Sequence, residues 1–377
     1  MEFDFSWLLW GLPLAFALGW LASRLDLRQL RLENRRAPKA YFRGLNFLLN
    51  EQQDQAIDAF IEAVRNDPDT SELHFALGNL FRRRGEYERA VRVHEHLLSR
   101  GDLSAKDRHR AQHALALDFL KAGLLDRAED ALRKLEGTEH EAQALLALLA
   151  IYERTRDWAQ ASEVARKLNA GGHGDFSGRL AHYLCEQAAQ ATGPQAEALV
   201  RQALQTAPGA TRPGLDLAAL QIRAGDAAGA FETLAALARS TPQSMGLIAR
   251  PLAEAARACH EEPHAARLLA QAQEARPSLD VLEALVQVES DPQRARERYV
   301  SHLEREPSLV VAAKWIAGEK LEHEQFHPLV QRSLDQAVKP LTRYRCAACG
   351  FEANRHFWQC PGCQAWDSYP ARRVEEL

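Results

Sequence analysis

Three observations predict an all-α chain. A pattern of small and aromatic residues returns from Ala40 to Pro340 with a period of about 34 residues. An uncharged run of nineteen residues, Phe5 to Ser23, precedes it, and four of the six cysteines crowd into Cys346 to Cys363 after it. These read as a tetratricopeptide-repeat solenoid with an N-terminal transmembrane helix and a small C-terminal metal module. The expected divisions are an anchor over 1–23, a juxtamembrane linker over 24–39, the solenoid over 40–340 and the four-cysteine module over 341–377.

As a helix, Phe5 to Ser23 would span about 28 Å at about 1.5 Å per residue, close to a hydrocarbon core. Trp7, Trp10 and Trp20 stand toward its ends, where amphipathic rings favour the interface, and Pro13 is tolerable inside a membrane helix. Glu2 and Asp4 precede the run, whereas Arg24, Arg28, Arg31, Arg35, Arg36 and Lys39 follow it. The positive-inside rule then leaves the long C-terminal part in the cytoplasm. A cleaved secretory signal needs a basic segment ahead of a shorter apolar run, and neither feature is present. Leu25 to Lys39 reads as a polar helix or solvated spacer whose basic residues can sit against anionic headgroups.

From Ala40 the repeat shows Gly44, Phe47, Ala56, Phe60, Ala63 and a closing Pro68. Small residues at Gly44 and Ala56 let two helices approach closely while Phe47 and Phe60 fill the seam. The second unit carries Leu77, Gly78, Phe81, Ala90 and Leu97; the third Leu115, Phe119, Ala128, Leu132 and Leu135; the fourth Leu148, Tyr152, Ala161, Ala165 and Leu168. Later units keep the alanine and proline landmarks: Ala196 with Pro208, Ala230 with Pro242, Ala265 with Pro277. Two further hairpins, Ser278 to Pro307 and Ser308 to Pro340, bring the count to about eight or nine. Four glycines in the eleven residues Leu168 to Gly178 predict a loop or hinge near 169–178.

The first helix of each hairpin lines the groove of such a solenoid. Template positions on that wall fall on Asn79, Arg82 and Arg83, then Arg110, His113 and Lys121. This basic, hydrogen-bonding wall suits an acidic or C-terminal carboxylate segment of a partner, as against an ordinary solvated helix face. The composition adds no broader electrostatic signal. With 47 Lys+Arg against 51 Asp+Glu, a formal charge of -4 gives no global argument for nucleic acid.

Cys346, Cys349, Cys360 and Cys363 form two Cys-x-x-Cys knuckles separated by ten residues, with Gly350 and Gly362 beside the thiols. Two such pairs in a reducing compartment specify one tetrahedral zinc or iron ion. Cys185 and Cys259 stand alone, so the six cysteines are not a disulfide framework. Metal binding should supply much of the stability of so small a module. Tyr344, Phe351, Phe357, Trp358 and Trp366 are its expected apolar surround.

His323, Glu324 and His327 spell H-E-x-x-H, but Pro328 pushes His327 out of the helical region and no third ligand is near. His109 and His113 read as a solvated pair, and no phosphate loop, nucleophile elbow or nucleotide fingerprint occurs. The chain reads as a non-enzyme.

The order of parts resembles the lipopolysaccharide assembly protein B (LapB, also called YciM) family. The resemblance is carried by GLNFLLNEQQDQAIDAF at Gly44 to Phe60, LGNLFRRRGEYERAVRVH at Leu77 to His94, AGLLDRAED at Ala122 to Asp130, and YRCAACGF with WQCPGCQAW at the end. It implies a single-pass inner-membrane regulator of lipopolysaccharide synthesis with its bulk in the cytoplasm. It further implies an adaptor that promotes degradation of the lipid A pathway deacetylase by the membrane-anchored protease FtsH and helps to organise synthetic or transport proteins. A second copy of the chain is a further expected partner; nucleic acid is not. The resemblance also makes the metal module rubredoxin-like, packed on the solenoid, with Cys346, Cys349, Cys360 and Cys363 as ligands. Two alternatives come from other classes. One is an iron electron carrier, and the other a zinc ribbon binding nucleic acid through Arg343, Arg345, Arg355, Arg372 and Arg373.

Overall fold

The computed structural model describes residues 42–66, 70–319 and 324–377, together with 15–17 and 20. The span expected over Phe5 to Ser23 lies almost wholly outside the described residues, as do the linker 24–39, Pro68 and His323. Among the described residues no helix is long and apolar enough to cross a membrane. The chain divides into two compact units, Met1–Thr155 and Arg156–Leu377.

The first unit holds α1 (42–49), α2 (Gln53–Asn66), α3 (Ser71–Arg84), α4 (Tyr87–Ser99), α5 (Ala105–Ala122), α6 (Leu125–Arg133) and α7 (Glu141–Thr155). Consecutive helices pack as hairpins, and the first helices α3 and α5 also touch. The template residues are the core: Ala56, Phe60, Ala63, Leu77, Phe81, Ala90 and Leu97 are buried, as are Leu115, Phe119, Ala128, Leu132 and Leu135. Gly44 is small for a measurable reason, since a Cβ there would lie 2.9 Å from the Phe60 ring. Gly85 and Gly123 end α3 and α5 in the left-handed region at φ 85° and 77°, a conformation that costs a side-chain-bearing residue energy.

The second unit runs through α8 (Trp158–Ala170), α9 (Ser177–Gln190), α10 (Gly193–Thr206), α11 (Thr211–Arg223), α12 (Ala227–Ser240) and α13 (Met245–Cys259). It continues with α14 (Glu262–Ala275), α15 (Leu279–Val288), α16 (Pro292–Arg305), α17 (Leu309–Ala317) and α18 (His327–Val338). α10, α12 and α14 each stop two residues before Pro208, Pro242 and Pro277, because the residue ahead of a proline is pushed out of helical geometry. Ala196, Ala230 and Ala265 are buried at the predicted crossings. First helices again adjoin, α9 with α11, α11 with α13 and α13 with α15. The glycine-rich stretch after α8 is an ordered connector within this unit: His173 N–H bonds the Leu168 carbonyl at 3.0 Å, and Phe176 N–H bonds the Asn169 side chain at 2.7 Å.

The end of the chain carries the only β-strands among the described residues. A two-stranded antiparallel sheet, β1 (Tyr344–Arg345) and β2 (Glu352–Ala353), pairs Tyr344 with Ala353 and Arg345 with Glu352. An isolated bridge joins Gln359 to Trp366.

Candidate metal centre

The two Cys-x-x-Cys segments fold as copies of one turn. Gly350 N–H bonds the Cys346 carbonyl at 2.9 Å, and Gln364 N–H bonds the Cys360 carbonyl at 2.8 Å. Cys346 N–H bonds the Phe351 carbonyl and Cys360 N–H that of Ala365, each at 2.9 Å. The residue after each second cysteine is left-handed, Gly350 at φ 77° and Gln364 at φ 62°. In the second knuckle Gln364, a residue with a side chain, takes that strained conformation, and Gly362 beside Cys363 does not.

These turns aim the four thiols at one point. Cys346 Sγ lies 3.8 Å from Cys363 Sγ, Cys349 Sγ lies 3.7 Å from Cys360 Sγ, and all four fall within 4.8 Å of one another. A tetrahedron with metal–sulfur bonds of about 2.3 Å has edges of about 3.8 Å, so the donor set fits a single zinc or iron ion. The cysteines are free thiols, not disulfides.

Burial works against the Cys346 thiolate, but the Ser368 hydroxyl and the N–H groups of Cys349 and Ala348 outweigh it and bring the thiol down to about 6. For Cys349, the Phe351 N–H favours the thiolate, yet burial and the three neighbouring thiols prevail and push it up to about 12. Four sulfurs this close cannot all ionise without a cation between them, and a bound metal ion removes that conflict. All four positions would be protein thiolates, which leaves no open place for substrate.

Cys346 and Cys360 are buried, whereas Cys349 and Cys363 face solvent. Tyr344 and Tyr369 close over the buried pair with Phe357 and with Leu247 from α13. The module seats on the first helices of its unit. His182 of α9 bonds the Asp367 carboxylate at 2.9 and 3.0 Å and stacks on Trp366 at 4.8 Å. Trp158 and Tyr183 meet the same indole edge-on at 6.0 and 5.8 Å. Tyr344, Phe357 and Trp366 thus serve as the expected apolar surround and Trp358 lies 5.9 Å from the His182 ring, whereas Phe351, also expected there, is 43% exposed. His182, Asp367 and Trp158 were missed, because only contacts between residues up to 185 positions apart single them out.

The predicted wall of the first unit is more committed than its composition suggests. Arg82 donates to Asp118 at 2.8 Å, to the Ala114 carbonyl at 3.0 Å and to Asn79, and only 18% of its side chain is exposed. Asp118 is fully buried and also bonds His94. Arg110 pairs with Glu72 and lies 4.1 Å above the Phe75 ring. His113 stacks on His140 at 5.2 Å, and burial first, then His140 and Arg82, holds its pKa below the usual value. Arg83 and Lys121 are exposed.

The arginines weighed for nucleic acid all have partners inside the second unit, Arg372 donating to the Glu376 carbonyl at 3.4 Å. Arg343 and Arg345 pair with Glu352 at 3.6 and 2.7 Å, Arg355 lies over Phe357, and Arg373 holds Asp280 at 2.7 Å. They do not form a free basic stripe. In the H-E-x-x-H segment, Glu324–Phe326 form a 3₁₀ turn and α18 begins at His327, whose Nε2 lies 3.2 Å from the Ile316 carbonyl.

Stacked tetratricopeptide-type hairpins followed by a four-cysteine cluster define a helical-repeat protein with a C-terminal metal-binding module. The family model described as rubredoxin metal binding domain matches residues 344–369. Lipopolysaccharide assembly protein B of Escherichia coli (strain K12) is 31% identical over 97% of this chain and 98% of its own. The protein of that name from Haemophilus influenzae is 27% identical over 95% and 96%. The chain belongs to the lipopolysaccharide assembly protein B family. Solved structures similar to it include Naa15/Naa10 bound to HypK-THB, with TM-score 0.47 and 14% identity over 81% of this chain and 48% of that one. A tetratricopeptide repeat protein from Parabacteroides merdae gives TM-score 0.35 and 15% identity over 67% and 98%.

Proposed function

We propose that this protein is a membrane-tethered, non-enzymatic scaffold that regulates lipopolysaccharide assembly. The observation that carries the reading is the end-to-end match to relatives bearing that name, through both the solenoid and the metal module. A closed thiolate site and a stack of hairpins are means of holding proteins, and they supply no group for bond making. The tether is the run Phe5 to Ser23 at the inner membrane, with the remainder cytoplasmic. The metal, zinc or iron, acts as a staple for the module.

The partners that fit this reading are the protease FtsH and the lipid A pathway deacetylase. Holding both near one bilayer surface raises their effective concentration without chemistry by the scaffold. In the first unit, Asn79, Arg83, Arg110, His113 and Lys121 offer the face for an acidic partner segment, with Arg82 holding Asn79 in place from below. The test is crosslinking in intact membranes followed by recovery of the full chain. A membrane protease and a lipid A enzyme should come with wild type and should be reduced with Arg83→Glu/Lys121→Glu. Recovery of neither from wild type would overturn the function, and unchanged recovery with the double variant would overturn the assignment of the face.

A further inference from the structure

The last eight residues, 370–377, leave the metal knuckles as a strap across the first helices of the second unit. Its adjacent glutamates each fill the N-terminus of a different helix. Glu375 accepts the N–H groups of Leu309 at 2.7 Å and Val310 at 3.2 Å at the start of α17, and the Ser308 hydroxyl donates to it at 2.6 Å. Glu376 accepts the N–H of Leu279, the first residue of α15, at 2.9 Å. Ser278 provides α15 with no side-chain cap of its own. Both helices open on the same tripeptide, Pro-Ser-Leu, at 277–279 and 307–309.

Two further contacts set the strap's register. Arg373 grips Asp280 of α15 through two bonds of 2.7 and 2.8 Å, with its guanidinium 4.0 Å above the Tyr344 ring. At Ala371 the strap's backbone passes so close to α13 that a Cβ on Gly246 would stand 2.4 Å from the Ala371 carbonyl oxygen. The grip is mainly polar: Leu377 is 60% exposed, and none of 371–376 is fully buried. Such contacts form and break more readily than an apolar seam, because water can replace each of them.

We propose that this face is a receptor for a di-acidic peptide with an arginine two residues ahead of the acidic pair, and that the chain's own C-terminus occupies it. A partner protein's segment of that chemistry would bind by displacing the strap. Helix N-termini attract carboxylates through N–H groups without an intrahelical partner and through the dipole. Ser308 caps only the Val311 N–H of α17 and α15 has no side-chain cap of its own, so both leave N–H groups for a carboxylate, at the spacing of adjacent side chains. The strap, tethered a few residues away, competes at an effective concentration in the ~mM range, so the face is self-blocked against dilute peptides. This goes beyond the scaffold reading and holds whichever pathway the protein serves.

The test uses the full, metal-loaded chain and a fluorescent heptapeptide of sequence ARRVEEL, read by anisotropy. Arg373→Ala loosens the strap but leaves Asp280 and both helix N-termini for the incoming peptide. It should bind about tenfold tighter than wild type, while ARRVQQL binds neither. Glu375→Gln/Glu376→Gln, which frees the strap by the other route, should show the same gain. Metal content is measured alongside, so that loss of the module is not mistaken for release of the strap. No gain in either variant at full metal content overturns the proposal. So does a concentration-dependent dimer in light scattering that the peptide dissociates, since the strap would then pass between copies of the chain rather than fold back on its own.

Discussion

Gly78 has no side chain because His94 stands where one would begin: a Cβ there would meet the imidazole at 2.5 Å. That imidazole bonds Asp118, which also takes Arg82, so one buried carboxylate on α5 joins groups from α3 and α4. Breaking such a buried pair leaves a charge without a partner, which typically costs about 3–5 kcal/mol. Arg82 is therefore a poor reporter of partner binding, since replacing it disturbs the core as well as the wall. His302 offers a cleaner readout. It is 7% exposed and its Nδ1 accepts from Gln273 at 2.8 Å, which requires the neutral ring. Burial holds its pKa below the usual value and outweighs the Glu306 and Glu375 carboxylates, which favour the charged ring, while Arg305 adds to the lowering. The unfolded chain takes up this proton first as pH falls. The stability that neutral His302 contributes is thus complete above about pH 6.5 and is lost as pH drops through that value toward the folded one. The slope is at most about 1.4 kcal/mol per pH unit for one histidine. Urea midpoints at pH 7.5 and 5.5 should differ more in wild type than in His302→Leu, and equal differences would refute the assignment.

The hairpins were legible because each writes its packing into one short stretch. Ala56 and Phe60 on one helix face Gly44 and Phe47 on the next, and the whole contact repeats with the template. The cysteine knuckles were legible for the same reason, since four ligands lie within eighteen residues. The module's seat was not, because Trp366 on His182 and Arg373 on Asp280 join distant segments with no shared period. The module also has too little core to stand alone, so the metal and this seat should fail together. Cys360→Ser, or chelation of the metal, should release Trp366 from Trp158, Tyr183 and His182 and shift tryptophan emission to longer wavelength. Helix content should fall only slightly. Unchanged emission at zero metal content would show that the seat holds without the ion.

At the scale of the whole molecule, the proposed scaffold would act by concentration, and a membrane tether would raise the local concentration of partners into the ~mM range. On the proposed function, deleting residues 1–39 should leave a folded chain in the soluble fraction and abolish the proposed regulation of the deacetylase at ordinary expression. If the soluble chain still lowered the enzyme's level as wild type does, tethering would be incidental. By itself the sequence determined the hairpin repeat, its core residues and the four metal ligands, since each is a local pattern that survives without knowledge of distant contacts. Only the tertiary structure decided which cations are free and where the C-terminus goes. Arg82, Arg110 and Arg373 look alike in a list of basic residues. Their difference lies in Asp118, Glu72 and Asp280, carboxylates brought to them across 36, 38 and 93 positions by folding alone.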